Sequence, residues 1–128
     1  MPFLELDLSD TKETELIPAD TEVKLRVVSV KQDLDKNGNA YIMPLLEPVE
    51  YPYANLMNYF MGLPHPEMEA RQLNATKLKL KSFFDAVGVD PNGVDLENLR
   101  GEECWAIVGI EDSDYGRQNK VKRFVVGN

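Results

Sequence analysis

Eleven aromatic and fourteen cationic side chains are the groups in this 128-residue sequence best suited to binding chemistry. Aromatic faces can stack on nucleobases, and lysine or arginine can follow a phosphate backbone; a sequence-tolerant single-strand binder needs both. Tyrosine suits a wet, half-exposed surface because its phenol has a polar end. Tyr41 follows an Asn37-Gly38 turn, near Lys31 and Lys36. Tyr51 and Tyr53 lie in a proline-rich stretch, Tyr59 lies further on, and Tyr115 stands beside Arg117. The remaining candidate cations are Lys24 and Arg26 on one strand face and Lys120, Lys122 and Arg123 near the end of the chain. Trp105 is either a core anchor or a ligand-facing ring, and the sequence leaves both readings open. Phe60, Phe83, Phe84 and Phe124 are expected in the core. Tyr51 and Tyr53 can equally pack over one end of a sheet. Lysines also occur on exposed strands simply to prevent edge pairing, and Lys77, Lys79 and Lys81 read as a solvated helix face.

Catalytic and metal chemistry finds little to work with. His65 is the single histidine and Cys104 the single cysteine, too few soft ligands for a zinc site and no basis for an intrachain disulfide. Cys104 is expected as a small buried hydrophobe. Asp33-x-Asp35-x-Asn37-Gly38 looks like the opening of a calcium loop, but Pro44 stands where the twelfth-position glutamate belongs. A hairpin explains that stretch better. There is no glycine-rich phosphate loop. The expectation is a non-enzyme with no cofactor and no metal.

The elements that would position these residues follow from periodicity. Glu22–Val30 alternates as a strand, with Val23, Leu25, Val27 and Ser29 on one face. Asn37-Gly38, both tolerant of positive φ, predicts a hairpin into Ala40–Leu46. Pro44 cannot donate to a ladder, so that strand is expected to bulge or to show the position to an edge. Asn55–Phe60 reads as a short third strand. Glu67–Val87 carries a 3/4-spaced apolar stripe, interrupted at Lys77, and Gly88 is its C-cap. Val94–Leu99 predicts a helical turn. Cys104–Val108 and Lys120–Val125 form a terminal hairpin around a turn at Asp112–Gly116. The hairpin changes sign: acids precede its tip, and Arg117, Lys120, Lys122 and Arg123 follow it.

Net charge is −8. Residues 1–22 hold seven acids and one base, which is −6, and the other 106 residues hold 15 acids and 13 bases, which is −2. The acidity is therefore mostly N-terminal, and local basic faces remain available on the body. Residues 1–18 are expected as an acidic arm, with Leu4, Leu6 and Leu8 on one face if it is extended, and residues 19–128 as one domain. No apolar run approaches the ~20 residues that cross a bilayer, and the acidic opening is unlike a secretory signal. A cytoplasmic protein without membrane contact is expected.

The predicted order β-β-β-α-β-β gives a mostly β fold with one long helix. It is the order of an OB-fold-like five-stranded barrel. The chain resembles the small OB-fold single-stranded-DNA-binding proteins of bacteriophages. The resemblance rests on Leu16-Ile17-Pro18 followed by Val23-x-Leu25, the Asn37-Gly38 hairpin and Asn58-Tyr59-Phe60. It continues through Leu99-Arg100-Gly101-Glu102-Glu103-Cys104-Trp105, Tyr115-Gly116 and Asn119-Lys120-Val121-Lys122-Arg123-Phe124, and covers roughly residues 16–126. It implies a protein that coats single-stranded DNA (or RNA) in replication or recombination, in the host-cell cytoplasm, with replication or recombination proteins as partners. Such proteins often carry an acidic C-terminal tail, whereas this sequence has its acids at the other end. The alternative is an assembly module, a virion or accessory subunit, that forms homo-oligomers through the N-terminal arm.

Overall fold

The structure is a computed structural model that describes residues 3–126; the outermost residues of the expected arm and domain, 1–2 and 127–128, lie outside the described residues. Among the described residues six strands form one antiparallel sheet, accompanied by one α-helix. They are β1 (Thr21–Leu34), β2 (Ala40–Pro48), β3 (Met57–Asn58), β4 (Met61–Gly62), β5 (Glu103–Ser113) and β6 (Gly116–Val125), with α1 (Ala70–Val87) between β4 and β5. The sheet order is β3-β2-β1-β5-β6, and β4 also pairs with β2. Among the described residues no ladder joins β3 to β6, although an edge-on contact of Tyr59 with Phe124 at 4.9 Å brings the two ends of that order together. Among the described residues no helix is long and apolar enough to cross a membrane.

The single third strand expected over Asn55–Phe60 is two short strands, and Pro44 is the reason. β3 and β4 pair with β2 in one continuous register, Leu46↔Met57 and Leu45↔Asn58, then Ile42↔Met61 and Tyr41↔Gly62. Between them the Tyr59 N–H donates to the Pro44 carbonyl at 3.0 Å. Pro44 has no N–H to return, so the ladder lapses for two residues. Its backbone faces β3, and the pairing of Pro44 with Val30 on the β1 side continues undisturbed.

The Asn37-Gly38 turn forms as the sequence predicts. Gly38 has φ 81°, and the Asp35 carboxylate accepts from the Asn37 and Asn39 N–H groups at 2.8 and 2.9 Å. The calcium-like spacing is thus a carboxylate capping its own turn. In β1 the register slips between Val27 and Ser29, so Val28 is a bulge. The slip moves Ser29 to the face opposite Val27, against the alternation expected for Glu22–Val30. Helix α1 begins at Ala70, three residues later than the apolar stripe predicts, because Glu69 is extended and supplies no side-chain cap. Gly88 ends the helix in the left-handed region and donates to the Phe84 carbonyl.

The core lies between the inner face of the sheet and the last turns of α1. Val23, Leu25, Val27, Leu46, Ala106 and Val108 point inward, and Phe83, Phe84 and Val87 meet them. Ile17 is fully buried with them. The Asn119 side chain clamps it: Asn119 Oδ1 accepts from the Ile17 N–H, and Asn119 Nδ2 donates to the carbonyls of Ile17 and Gly109, all within 2.9–3.1 Å. Residues 15–17 are thereby tied to the body. The segment that projects is residues 3–14.

Candidate nucleic-acid interface

The face of the sheet opposite the core collects most of the candidates. On β2 the alternation buries Ile42, Pro44 and Leu46 and turns Tyr41, Met43, Leu45 and Glu47 outward. Their β1 partners are Asp33, Lys31, Ser29 and Arg26. On β5, Cys104, Ala106 and Val108 are buried, so Trp105 and Ile107 face out, paired with Lys24 and Glu22 on β1 and with Val125 and Arg123 on β6. Trp105 is 41% exposed and is not a core anchor.

Two aromatic–cation clusters stand on this face, on the order of 20 Å apart along β1. At the β1–β2 hairpin, Tyr41 and Phe60 pack ring on ring at 4.8 Å with a 37° tilt, and Lys31 Nζ lies 6.0 Å from the Tyr41 centroid. Phe60 is 47% exposed, against the expectation that it belongs to the core. The missed signal is the alternation Met57-Asn58-Tyr59-Phe60-Met61. Two buried methionines fix the parity, so Tyr59 goes inward and Phe60 outward.

At the middle of the face, Lys24 Nζ lies 5.9 Å from the Trp105 ring. This cluster is already neutralised. Arg26 bridges Glu47 at 3.3 Å and Glu103 at 3.0 Å, and Lys24 reaches Glu103 at 3.5 Å. The hydrogen bond from Arg26, reinforced by Lys24, holds the Glu103 carboxyl below its usual range despite some desolvation. Two cations and two carboxylates leave no net charge there.

The other cations follow the same pattern. Lys31 lies 4.0 Å from Asp33, Arg117 3.8 Å from Asp112, Lys120 3.5 Å from Glu111, and Lys122 2.6 Å from Asp20. Of the eight candidate cations, Lys36 and Arg123 have no carboxylate partner among the described residues. A second bulge at Lys122 shifts the β5–β6 register and lays the Lys122 stem over Gly109, where an added Cβ would meet Lys122 Cγ at 2.9 Å. Lys120, Lys122, Arg123, Lys24, Arg26 and Lys31 thus form an oblique track across the outer face, most of it shadowed by acids.

Four tyrosines stand apart from the track. Tyr59 lies in the seam under α1, against Phe124, with Lys79 Nζ 4.8 Å from its ring centroid. Burial raises the Tyr59 phenol and lowers the Lys79 ammonium relative to their ordinary values. Tyr59 is half-buried and already engaged by Phe124 and Lys79, and Lys79 is not simply part of a solvated helix face. Tyr51 packs partly against the core. Tyr53 is exposed in the β2–β3 connection, and its carbonyl accepts from the Glu15 N–H at 3.0 Å. Tyr115 is 92% exposed at the tip of the β5–β6 hairpin.

Nucleophilic chemistry is unsupported at Cys104. The thiol is buried, and desolvation pushes it up to about 12, so it stays protonated at neutral pH. Among the described residues no three His, Cys, Asp or Glu side chains gather as a metal site.

No protein-family model matches this chain, and no curated protein matches it either.

Proposed function

We propose that this chain is a non-catalytic protein that coats single-stranded DNA along the outer face of an OB-fold-like barrel. The strand order β3-β2-β1-β5-β6, with one helix inserted before β5 and Tyr59 meeting Phe124 across the gap, supports the barrel reading. The observation that carries the function is the Tyr41–Phe60 pair beside Lys31. Two large rings held half-exposed on a rigid sheet, with a cation within reach, are what a base and its phosphate need. On the resemblance set out above, the setting is phage replication or recombination, with proteins of those processes as partners.

The acids on the face are consistent with this reading. Exposed ion pairs contribute only about 0–1 kcal/mol each, so a phosphate can take the place of Glu103 or Asp33 at small cost. The consequence is binding of modest strength and steep salt dependence. Fluorescence polarisation with labelled oligo-dT tests it. With about four phosphates engaged, the slope of log affinity against log salt is expected near −2.8, a loss of roughly fiftyfold between about 50 and about 200 mM. Absence of binding at the lower salt, or binding indifferent to salt, overturns the proposal.

A second reading, an assembly module, is favoured by one observation: the apolar arm residues Phe3, Leu4, Leu6 and Leu8 are all largely exposed.

A further inference from the structure

The second half of β1 is paired on one side only. β5 covers β1 from Thr21 to Arg26, the backbone of residues 101–102 covers Val27, and among the described residues nothing in the sheet pairs with Ser29–Leu34 on the side away from β2. The backbone of Pro44 faces β3. Its partner Val30, and Gln32 two residues on, therefore turn their N–H and C=O groups to the open edge. Those four groups have no hydrogen-bond partner among the described residues. Beneath this edge lies an apolar groove of about 590 Å³ between β1–β2, α1 and the loop before β5. Ile42, Leu80, Phe84 and Leu96 line it, and Lys77 and Lys81 stand at its rim.

The molecule also carries a segment shaped for such a site. In the arm, Phe3 and Leu4 are each 82% exposed and Leu6 and Leu8 each 65%. Leucines alternate with Glu5 and Asp7. Added to the β1 edge as a strand, residues 3–8 would send Leu4, Leu6 and Leu8 into the groove and turn Glu5 and Asp7 to the outer face, where Lys31 points. An open edge would be closed, an apolar groove filled, and a surplus of acid brought to a cation.

The arm does not lie in its own groove: Phe3, Leu4, Leu6 and Leu8 are all largely exposed. A turn sets residues 3–8 off from the clamped segment: the Thr11 N–H donates to the Leu8 carbonyl at 3.1 Å, and the Ser9 N–H donates to Asp7 Oδ1 at 2.9 Å. We infer that the groove beside the open edge of β1 is filled by residues 3–8 of a second copy of this chain, added as an extra strand. Reciprocal exchange gives a closed dimer, and one-way exchange gives a chain of subunits.

Light scattering on the full chain without DNA tests this independently of nucleic-acid binding. The full chain is expected to self-associate. The arm variant Leu6→Asp/Leu8→Asp and the edge variant Gln32→Pro, which removes the open-edge N–H without breaking a hydrogen bond of the β1–β2 ladder, are each expected to weaken association about tenfold or more. Mixing the two variants should restore a one-to-one pair, because one supplies an intact edge and the other an intact arm; neither rescue nor its stoichiometry is open to misfolded chains. A full chain that stays monomeric at its highest attainable concentration, an association that survives both variants, or an arm protected from proteolysis within a monomer overturns the inference.

Discussion

The two aromatic–cation clusters on the outer face use similar residues and end in opposite electrostatic states. At the hairpin, Lys31 stands over Tyr41 with one carboxylate, Asp33, at the limit of contact. At the middle, Lys24 and Arg26 are held by Glu47 and Glu103 at 3.0–3.5 Å. The difference follows from register. Arg26 lies opposite Glu47 on one side and Glu103 on the other, so cross-strand pairing alone closes that triplet. Lys31 lies opposite Met43, which has no charge to offer. The hairpin end thus keeps its cation the less engaged by carboxylates, and the middle is a surface that has satisfied itself.

Removing the rings at the hairpin should therefore produce the largest effect. Each base stacked on an aromatic contributes about 1–3 kcal/mol, or roughly 5- to 150-fold in affinity. Tyr41→Ala with Phe60→Ala is expected to lose at least the lower end of that range for oligo-dT, measured by polarisation. The melting temperature should change little, since both rings sit outside the core. Trp105→Ala should cost less, because Lys24 already occupies its neighbourhood and Glu103 repels phosphate beside it. If Trp105→Ala proves the more damaging change, the comparison is inverted and the middle is the contact.

The second effect comes from lifting the neutralisation. Glu103→Gln leaves Lys24 and Arg26 short of one carboxylate, and the expected gain is up to about fivefold in affinity, the size of an exposed pair. Acid should do the same to the native chain. Glu103 titrates below its usual value of 4.5 in the folded protein, so its contribution to stability is complete above that value and is lost as the pH falls through the lowered one. Over that window the native chain should bind more tightly and melt more easily at fixed salt, while Glu103→Gln shows a flatter profile for both. Identical profiles for the two proteins would remove Glu103 from the account.

Local chemistry made part of this legible in the sequence. Asn37-Gly38 set a hairpin, Gly88 a helix end, and the alternation around Trp105 a strand with one buried face, because each depends only on near neighbours. The stretch that carries Phe60 was legible as extended chain, but the parity that turns Phe60 outward was missed, and so was the break, where Pro44 interrupts a ladder whose register continues. What the sequence hides is register. Bulges at Val28 and Lys122 each add one residue, and one residue reverses the face of everything beyond it. The pairing of Arg26 with both Glu47 and Glu103, and the Asn119 clamp on Ile17 across 102 positions, depend on those registers. No count of acids and bases could give them.

The smallest effect is expected at the tip of the β5–β6 hairpin, where Tyr115 makes the most prominent ring of all. Its exposure of 92% means that it packs on nothing. The turn is built without it: Ser113 Oγ donates to the Gly116 carbonyl at 2.8 Å and accepts from the Tyr115 backbone N–H, and Gly116 supplies the positive φ of 103°. Tyr115→Ala should therefore change stability by less than about 0.5 kcal/mol. Its neighbour Arg117 is drawn toward Asp112, with Glu111 and Asp114 close in sequence, so the tip presents acids to an approaching phosphate. Short oligo-dT should bind the variant within about twofold of the native chain, less than the loss of a single stacked base. A larger loss confined to long oligonucleotides would show the strand running past the middle to this tip, and would extend the contact across the whole oblique track from Lys31 to Lys120.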